Sequence, residues 1–163
     1  MLNIRKATTE DIPLIQKLTY SVWPQTYASI LSQEQIEYML DMMYSHTSLQ
    51  KQMDEGAQFI IVYDNSEPVG FASYQETEPA IFKLHKIYVL SNQQGKGTGK
   101  YVINHIIDAI RLRGARALQL QVNRHNKAKD FYEKLGFMVI EEAGFDIGNG
   151  YFMNDYVMEK RIS

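Results

Sequence analysis

Short stretches of alternating or continuous hydrophobic residues, separated by turn residues, recur along the chain and are typical of β-strands. Seven such stretches are predicted as strands, at residues 2–7, 58–63, 69–75, 81–90, 118–122, 137–142 and 151–159. Polar residues at 64–68 predict a turn between the second and third strands, and residues 76–79 predict a loop before the fourth. Gly148 and Gly150 lie in the connection between the last two strands.

Elsewhere the hydrophobic residues recur every three or four positions, as on the buried face of a helix. Helices are predicted at residues 12–22, from about residue 32 to residue 43, at 101–110 and at 128–135. Suitable residues stand at their ends: Thr8 or Thr9, Ser32 and Asn126 as N-caps, and Pro24, Gly114 and Gly136 as stops. The sequence therefore predicts one mixed α/β domain over residues 1–163, with about seven strands and about four helices.

Composition narrows the class of protein only a little. The chain has 163 residues, of which 45% are hydrophobic and 22% charged, as in ordinary globular proteins. A formal net charge of −2 gives no electrostatic reason to expect a nucleic-acid partner. No apolar run is long enough to cross a membrane, and residues 1–8 lack the apolar centre of a signal peptide. A cytoplasmic protein without a membrane partner is expected.

A glycine-rich segment, residues 94–100, lies between the predicted fourth strand and the longest predicted helix. Its glycines are Gly95, Gly97 and Gly99, which leave the first backbone N–H groups of the helix uncovered. A helix start carries unpaired N–H donors and about half a positive charge, so it can bind an anion. Lys96 and Lys100 add cationic side chains. The expected ligand is therefore a phosphate or a pyrophosphate.

Two familiar phosphate-binding motifs do not fit this segment. A P-loop requires glycine where Gln94 stands and a hydroxyl residue of the serine or threonine type where Tyr101 stands. A dinucleotide-binding fingerprint that begins at Gly95 ends on Lys100 instead of glycine, and one that begins at Gly97 ends on Val102. The segment belongs to neither class.

Gln94, Gly97 and Gly99 form the pattern Q-x-x-G-x-G, and residues 122–128 and 131–137 supply a second motif downstream. This pair of motifs resembles the GNAT superfamily of acetyl-CoA-dependent N-acetyltransferases. The resemblance implies a mixed, mostly antiparallel sheet flanked by helices, with acetyl-CoA as co-substrate and no metal. Because the chain has no cysteine, a covalent acyl-cysteine intermediate is excluded. Direct attack of the amine on the thioester in a ternary complex is expected.

The resemblance also assigns roles to individual residues. The strand at Ile87, Tyr88 and Val89 would run beside the pantetheine arm, with the Val89 N–H donating to the thioester oxygen. The pyrophosphate would be held by Gln94, Gly95, Lys96, Gly97, Thr98, Gly99 and Lys100. Asn123 and Asn126 would lie near the cofactor amides. Tyr132 would be the general acid that protonates the coenzyme A thiolate, facing the cofactor while Phe131 is buried.

The general base is the least defined of these roles. Many relatives carry a glutamate on the strand before the phosphate loop, whereas this chain has His85 and Lys86 there. His85 has a suitable ordinary pKa of about 6.5. Glu76, Glu78 or a chain of water molecules are the alternatives.

The acceptor amine is expected near the segment that joins the first two helices, because that segment forms one wall of the acceptor site in the family. Trp23 and Tyr27 are the candidate contacts there, with Glu76 as a third. The C-terminal residues 144–158 resemble the closing hairpin of bacterial polyamine acetyltransferases. Five acidic residues could then attract a polyamine: Glu34, Glu37, Asp41, Glu76 and Glu78.

Other functions stay open on the sequence alone. The acceptor could instead be a peptide α-amine, a lysine side chain or an aminoglycoside. A coenzyme A-binding regulatory module with little turnover is the alternative from another class. Homodimers are common in the family, with strands near the C-terminus contributing, so a homodimer is one expected assembly, although the sequence shows no interface.

Overall fold

The computed structural model describes residues 1–93 and 95–162, without the side chains of Gln25, Thr26 and Met153. Gln94, one of the predicted phosphate-loop residues, lies outside the described residues. The described strands are β1 (Leu2–Lys6), β2 (Gln58–Asp64), β3 (Glu67–Glu78), β4 (Ile81–Val89), β5 (Ala117–Asn123), β6 (Met138–Gly148) and β7 (Tyr151–Arg161). They form one sheet in the order β1-β2-β3-β4-β5-β7-β6, in which only the β4–β5 pair is parallel. The predicted mixed, mostly antiparallel sheet is confirmed.

Five α-helices flank this sheet in the described part of the chain. They are α1 (Ile12–Tyr27), α2 (Gln33–Tyr44), α3 (His46–Asp54), α4 (Thr98–Arg111) and α5 (Ala128–Lys134). The helix that the sequence analysis missed is α3, whose only fully buried residue is Leu49, so its apolar stripe is too narrow to recognise. It begins with a cap, because the Ser45 hydroxyl accepts a hydrogen bond from the Ser48 N–H at 3.1 Å.

Two predicted boundaries are wrong. Helix α1 does not end at Pro24 but continues to Tyr27. A proline inside a helix lacks its own N–H bond and its ring crowds the preceding turn, but its carbonyl can still accept, so the helix can continue beyond it. The Ala28 N–H donates to the Pro24 carbonyl at 3.1 Å. Residues 76–78 are not a loop, since β3 runs to Glu78 and turns at Ala80, whose φ is 65°. The Glu76 carboxylate stabilises that turn by accepting from the Ala80 N–H at 3.0 Å.

Two hydrophobic cores lie on the opposite faces of the sheet. Helix α4 covers one face with five buried aliphatic residues, Val102, Ile103, Ile106, Ile107 and Ile110. The other face is covered by α1, α2 and α3. Each fully buried aliphatic side chain contributes about 1.5–3 kcal/mol through removal of apolar surface from water. The sheet between these layers is therefore a rigid support for the strand ends that carry the site.

The two parallel strands, β4 and β5, separate half-way along their length. Their pairing begins at Ile81 opposite Ala117 and ends at Leu84 opposite Leu120. A β-bulge marks the point of separation, because Ser73 pairs with Lys86 and Tyr74 pairs with Leu84, which leaves His85 as the extra residue on β4. Beyond the bulge, β4 pairs with β3 alone. A cleft opens in the sheet at that point.

Candidate active site

The cleft between the separated strands is a cavity of about 590 Å³. Its walls are the second half of β4, the start of α4, the end of β5 and the helix α5. Four of its lining residues were predicted from the sequence to bind along the pantetheine arm or to act on the thioester, namely Ile87, Tyr88, Val89 and Tyr132. The structure therefore brings the strand and the predicted acid to one cavity.

The backbone of β4 presents hydrogen-bond donors to this cleft. In an antiparallel pair, successive residues point their N–H groups alternately toward the partner strand and away from it. The Leu90 N–H donates to the Val69 carbonyl at 2.8 Å, so the Val89 N–H points away from β3. Ile87 is in the same register as Val89, and its N–H faces the same way. Both donors face the space that β5 has vacated.

The glycine segment closes one end of the cleft. Gly95 and Gly97 have φ values of 80° and 75°, which favour glycine, and a Cβ atom on either would meet no atom within 4 Å. Among the described residues, the first N–H of α4 to find a backbone acceptor belongs to Tyr101, which donates to the Gly97 carbonyl at 3.0 Å. The preceding N–H groups of the helix thus remain available to an anion, as at other helix starts.

Side chains around the segment hold its shape. The buried Thr98 hydroxyl donates to the Gln93 side chain at 3.0 Å, which ties the start of α4 to the turn before it. Gly99 also lines the cleft and packs against Phe131, where a Cβ atom would stand 3.1 Å from the ring. Lys100 lines the cleft, while Lys96 is exposed outside its lining. Lys100 is thus the better placed of the two predicted cations.

Tyr132 lies in the wall of the cleft on α5, between the rings of Phe131 and Phe137 at centroid distances of 5.3 and 5.7 Å. The expectation that Phe131 is the buried member is wrong, since Phe131 is 36% exposed and Tyr132 only 8%. Burial raises the pKa of the Tyr132 hydroxyl, with a smaller contribution from Tyr27. The phenol therefore stays protonated at any ordinary pH.

The two predicted asparagines lie in different places. The Asn126 side-chain oxygen accepts from the Ala128 N–H at 2.9 Å while Asn126 lines the cleft, but Lys127 stands at the N-cap position of α5, so the predicted cap is one residue too early. The Asn123 side-chain oxygen accepts from the His125 N–H at 3.0 Å. Asn123 lines a second cavity on the other face of the sheet.

This second cavity measures about 490 Å³ and adjoins the first at the bulge. The lining residues common to both are Tyr27, Leu84, His85, Lys86, Tyr88 and Gln121. Trp23 and Tyr27, the predicted acceptor contacts, both line the second cavity, with ring centroids 4.6 Å apart. Glu76 does not line it, because its carboxylate is engaged at the β3–β4 turn. The other four acidic residues proposed to attract a polyamine also stand outside the lining of both cavities.

Two charged side chains in the second cavity, Lys86 and Asp155, are buried, and a third, Lys83, is partly buried. Burial lowers the pKa of Lys86 to about 8, and the neighbouring Lys83 lowers it further in the same direction. Burial also lowers the pKa of Lys83, although the Asp155 carboxylate partly offsets this shift. For Asp155, burial raises the pKa to about 6, although Lys83 and Arg124 oppose the shift.

His85, the bulged residue, lies where the two cavities meet. Its Nε2 is 3.1 Å from the side-chain oxygen of Gln75, and the Gln75 amide in turn donates to the Glu55 carbonyl at 2.8 Å. Nε2 therefore carries the proton in this network, which leaves Nδ1 as the free nitrogen. Burial, reinforced by Lys83 and Lys86, lowers the pKa of His85 to about 4. The imidazole is neutral at physiological pH and is a weaker base than a free histidine.

Asp155 is the site residue that the sequence analysis overlooked. It is 2% exposed, and its Oδ1 atom has no hydrogen-bond partner among the described residues. The register of β5 and β7 places it opposite Asn123, at the end of the strand pair nearest the second cavity. The only signal in the sequence was an acidic residue within the apolar pattern of the last strand.

Gly70 on β3 fixes the position of the Val89 donor, and its replacement by alanine is expected to disturb both stability and activity. A Cβ atom there would stand 2.5 Å from the Tyr88 carbonyl oxygen and 3.2 Å from the Val89 Cα atom, so β4 would have to move. We expect Gly70→Ala to reduce the free energy of unfolding by about 2 kcal/mol and the melting temperature by about 4–8 °C. Thermal unfolding followed by circular dichroism measures this.

Gly144→Ala on β6 is the matched control, since its Cβ atom would meet only the end of the Asn154 side chain, at 3.2 Å. We expect this variant to keep the melting temperature within about 2 °C of wild type. Equal melting temperatures for Gly70→Ala and wild type would show that β4 is not held at this contact.

Comparison with known proteins identifies the family. A family model described as an acetyltransferase (GNAT) domain matches residues 27–159. The chain belongs to the GNAT acetyltransferase family. Spermidine N(1)-acetyltransferase of Thermoplasma acidophilum is 26% identical over 166 residues, which cover 98% of this chain and 97% of that protein. A ribosomal-protein alanine N-acetyltransferase of Haemophilus influenzae is 32% identical over 80 residues, 48% of this chain and 53% of that one.

Solved structures support the same assignment for this GNAT chain. The PaiA N-acetyltransferase of Thermoplasma acidophilum in complex with coenzyme A has a TM-score of 0.82, 25% identity and coverage of 99% of both chains. The predicted recognition is thus confirmed, and the chain is an N-acetyltransferase. Acetyl-CoA fits the cleft: the open glycine positions suit its pyrophosphate, and the inward N–H groups of β4 suit its pantetheine amides and thioester. It is the acyl donor.

Two further findings concern other kinds of site. Within residues 1–93 and 95–162, His, Asp and Glu side chains do not assemble in groups of three that could hold a metal ion. None of the described helices is long and apolar enough to cross a membrane. The homodimer expected from the family stays a prediction.

Proposed function

We propose that this GNAT protein transfers the acetyl group of acetyl-CoA to the primary amine of a small molecule, by direct attack in a ternary complex. The observation that carries the proposal is the meeting of two cavities at the β4 bulge, one suited to the acyl donor and the other closed by aromatic and charged side chains. An amine held in the second cavity would approach a thioester in the first beside Tyr88 and His85. No covalent intermediate on the protein is needed.

The chain's own groups supply the assistance that acyl transfer requires. Negative charge develops on the thioester oxygen during attack, and the Val89 N–H, which points into the cleft, would stabilise it. The departing thiolate requires a proton, which the Tyr132 phenol would donate. Both groups line the same cavity.

The acceptor must lose a proton, because an ammonium group has no free electron pair. Asp155 is a candidate for the proton acceptor, since its carboxylate lies in the second cavity and burial raises its pKa to about 6, nearer to neutral pH than an ordinary aspartate. Proton transfer is more efficient when the pKa of the base lies close to the working pH. His85 remains the candidate closer to the thioester, because it lines both cavities.

A polyamine is one candidate for this small-molecule acceptor. The similarity to spermidine N(1)-acetyltransferase along nearly the full length of both chains favours it. Similarity to a ribosomal-protein alanine acetyltransferase favours a peptide α-amine in the same way, over about half of the chain. These similarities indicate which acceptors to include in a first assay.

The test is the release of free thiol from acetyl-CoA over a panel of amines that includes spermidine, spermine, peptides, aminoglycosides and amino acids. Since the protein has no cysteine, every thiol detected is a product. Turnover with one class of amine supports the proposal and names the acceptor. Tight coenzyme A binding without turnover of any amine would contradict it and favour a coenzyme A-binding regulatory module.

A further inference from the structure

The second cavity contains cations that the proposed chemistry does not use. Lys86 is 8% exposed, and its ammonium group lies 4.3 Å from the centre of the Tyr44 ring. Among the described residues no carboxylate lies within 4.0 Å of the ammonium group of Lys86 or of Lys83, although the Asp155 carboxylate acts on Lys83 from a greater distance. A buried cation without an anionic partner is costly, and an aromatic ring offsets only part of that cost. A ligand that brings an anion would supply the missing partner.

We propose that the acceptor of this enzyme is a small aminocarboxylate, whose carboxylate binds between Lys83 and Lys86 while its amine faces Asp155. The inference rests on the proposed function and names the class of acceptor for that same site. Lys83 and Lys86 lie on β4, and Asp155 lies on β7, across the intervening strand β5. The cavity therefore presents cations on one side and a carboxylate on the other, which complements an ion that carries both charges.

Asp155 strengthens the inference because it is an unpaired acceptor at the same cavity. Its Oδ1 atom is buried without a hydrogen-bond partner in the described part of the chain. Buried polar atoms usually find partners, so one left without a partner beside a cavity indicates a ligand donor. An ammonium group of the acceptor would donate to the Asp155 carboxylate, which lines the cavity, and Asp155 would then accept its proton before attack on the thioester.

The remaining lining residues of the second cavity indicate the kind of side chain that the acceptor carries. Apolar and aromatic side chains form one part of them, namely Trp23, Leu31, Met39, Met42, Met43 and Tyr44, while Gln35, Ser48, Gln52, Glu55, Gln75, Gln121 and Asn123 add polar groups. The apolar part of this lining favours an aliphatic or aromatic side chain. A polyamine lacks an anion for the lysines and would add like charges beside them, which is unfavourable in a partly buried cavity.

The experiment uses Trp23, the only tryptophan of the chain, as a reporter inside the acceptor cavity. The full-length protein saturated with coenzyme A is titrated with matched probes that differ only in the carboxylate: L-methionine against 3-(methylthio)propylamine, and L-phenylalanine against phenethylamine. Spermidine is titrated in parallel. We expect each aminocarboxylate to bind about tenfold or more tightly than its decarboxylated partner. Turnover of the same probes with acetyl-CoA is measured separately.

Two lysine variants test the cause of that preference. Lys86→Met, and independently Lys83→Gln, are expected to reduce the preference for the aminocarboxylate about tenfold. Lys17→Met removes the same charge from the exposed face of α1 and should leave that preference unchanged. Tighter binding of the decarboxylated amines or of spermidine overturns the inference, as does a preference that survives both lysine substitutions. So does the absence of aminocarboxylate binding up to roughly 10 mM, measured by calorimetry if the tryptophan fluorescence does not change.

The two proposals fail in different ways. Selective binding of aminocarboxylates without any turnover would refute acetyl transfer to them and leave the binding inference in place. Turnover of amines without a preference for the carboxylate would support acetyl transfer and refute the inference about the acceptor.

Discussion

Replacement of Tyr132 by phenylalanine is expected to lower kcat about a hundredfold and to leave the affinity for acetyl-CoA nearly unchanged. The ring would remain packed between Phe131 and Phe137, so only the hydroxyl is lost. That hydroxyl has a raised pKa and remains a proton donor throughout the assay range. Steady-state thiol release at saturating substrates gives kcat, and a coenzyme A titration gives the affinity.

The dependence of this loss on pH distinguishes an acid from a packing residue. A thiol has an ordinary pKa of about 8.5, so above that pH a leaving thiolate has less need of a proton and the difference between the two enzymes should narrow. Tyr74→Phe is the matched control, because Tyr74 is also buried in the core on the α4 face but lines neither cavity. A Tyr132→Phe enzyme with wild-type kcat would exclude the phenol as the acid.

The donor cleft could be predicted from the sequence because its parts are local. Gly97 and Gly99 stand at fixed distances from the strand and helix that flank them, and the positive φ of Gly97 follows from a turn that needs glycine there. The Val89 donor follows from strand alternation once the pairing with β3 is known. A second local motif, around Tyr132, then agreed with the first.

The acceptor cavity could not be predicted in the same way because it depends on long-range register. The bulge at His85 moves Lys86 to the face of the sheet on which Tyr44 and Tyr88 pack. The residues around His85 do not predict a bulge. Asp155 reaches the cavity only through its pairing with Asn123, 32 residues earlier in the chain. Acidic residues that were expected near the acceptor wall, such as Glu76, therefore lie elsewhere.

Asp155→Asn is expected to reduce kcat/KM about a hundredfold near neutral pH, since an amide can neither accept the proton of the amine nor attract its charge. The pKa of Asp155, about 6, also predicts that wild-type kcat/KM falls as the pH drops through that value. The residual activity of the variant should lack this decrease. Glu159→Gln changes a carboxylate on the same strand outside both cavities and should retain wild-type activity and the wild-type pH profile.

The same substitution is expected to make the protein more stable, by about 1 kcal/mol at pH 8 once screening by the adjoining cavity is allowed for. The folded-state pKa of Asp155, about 6, lies above the ordinary aspartate value of 3.8, so folding favours the protonated form. The stabilisation that protonated Asp155 gives the wild-type protein is fully present below about pH 4 and is lost as the pH rises through 6. The amide of the variant does not titrate. Lys83 and Arg124 reduce the penalty without removing it.

Urea unfolding at pH 8 and pH 4 measures the difference in free energy of unfolding between the variant and the wild-type protein. This difference should be measurable at pH 8 and close to zero at pH 4. A gain in stability together with a loss of activity is what a buried group retained for function produces, because the folded chain bears the cost of its charge. An Asp155→Asn protein that is less stable at pH 8 would instead mean that the carboxylate holds the fold together, and its assignment to the acceptor amine would fail.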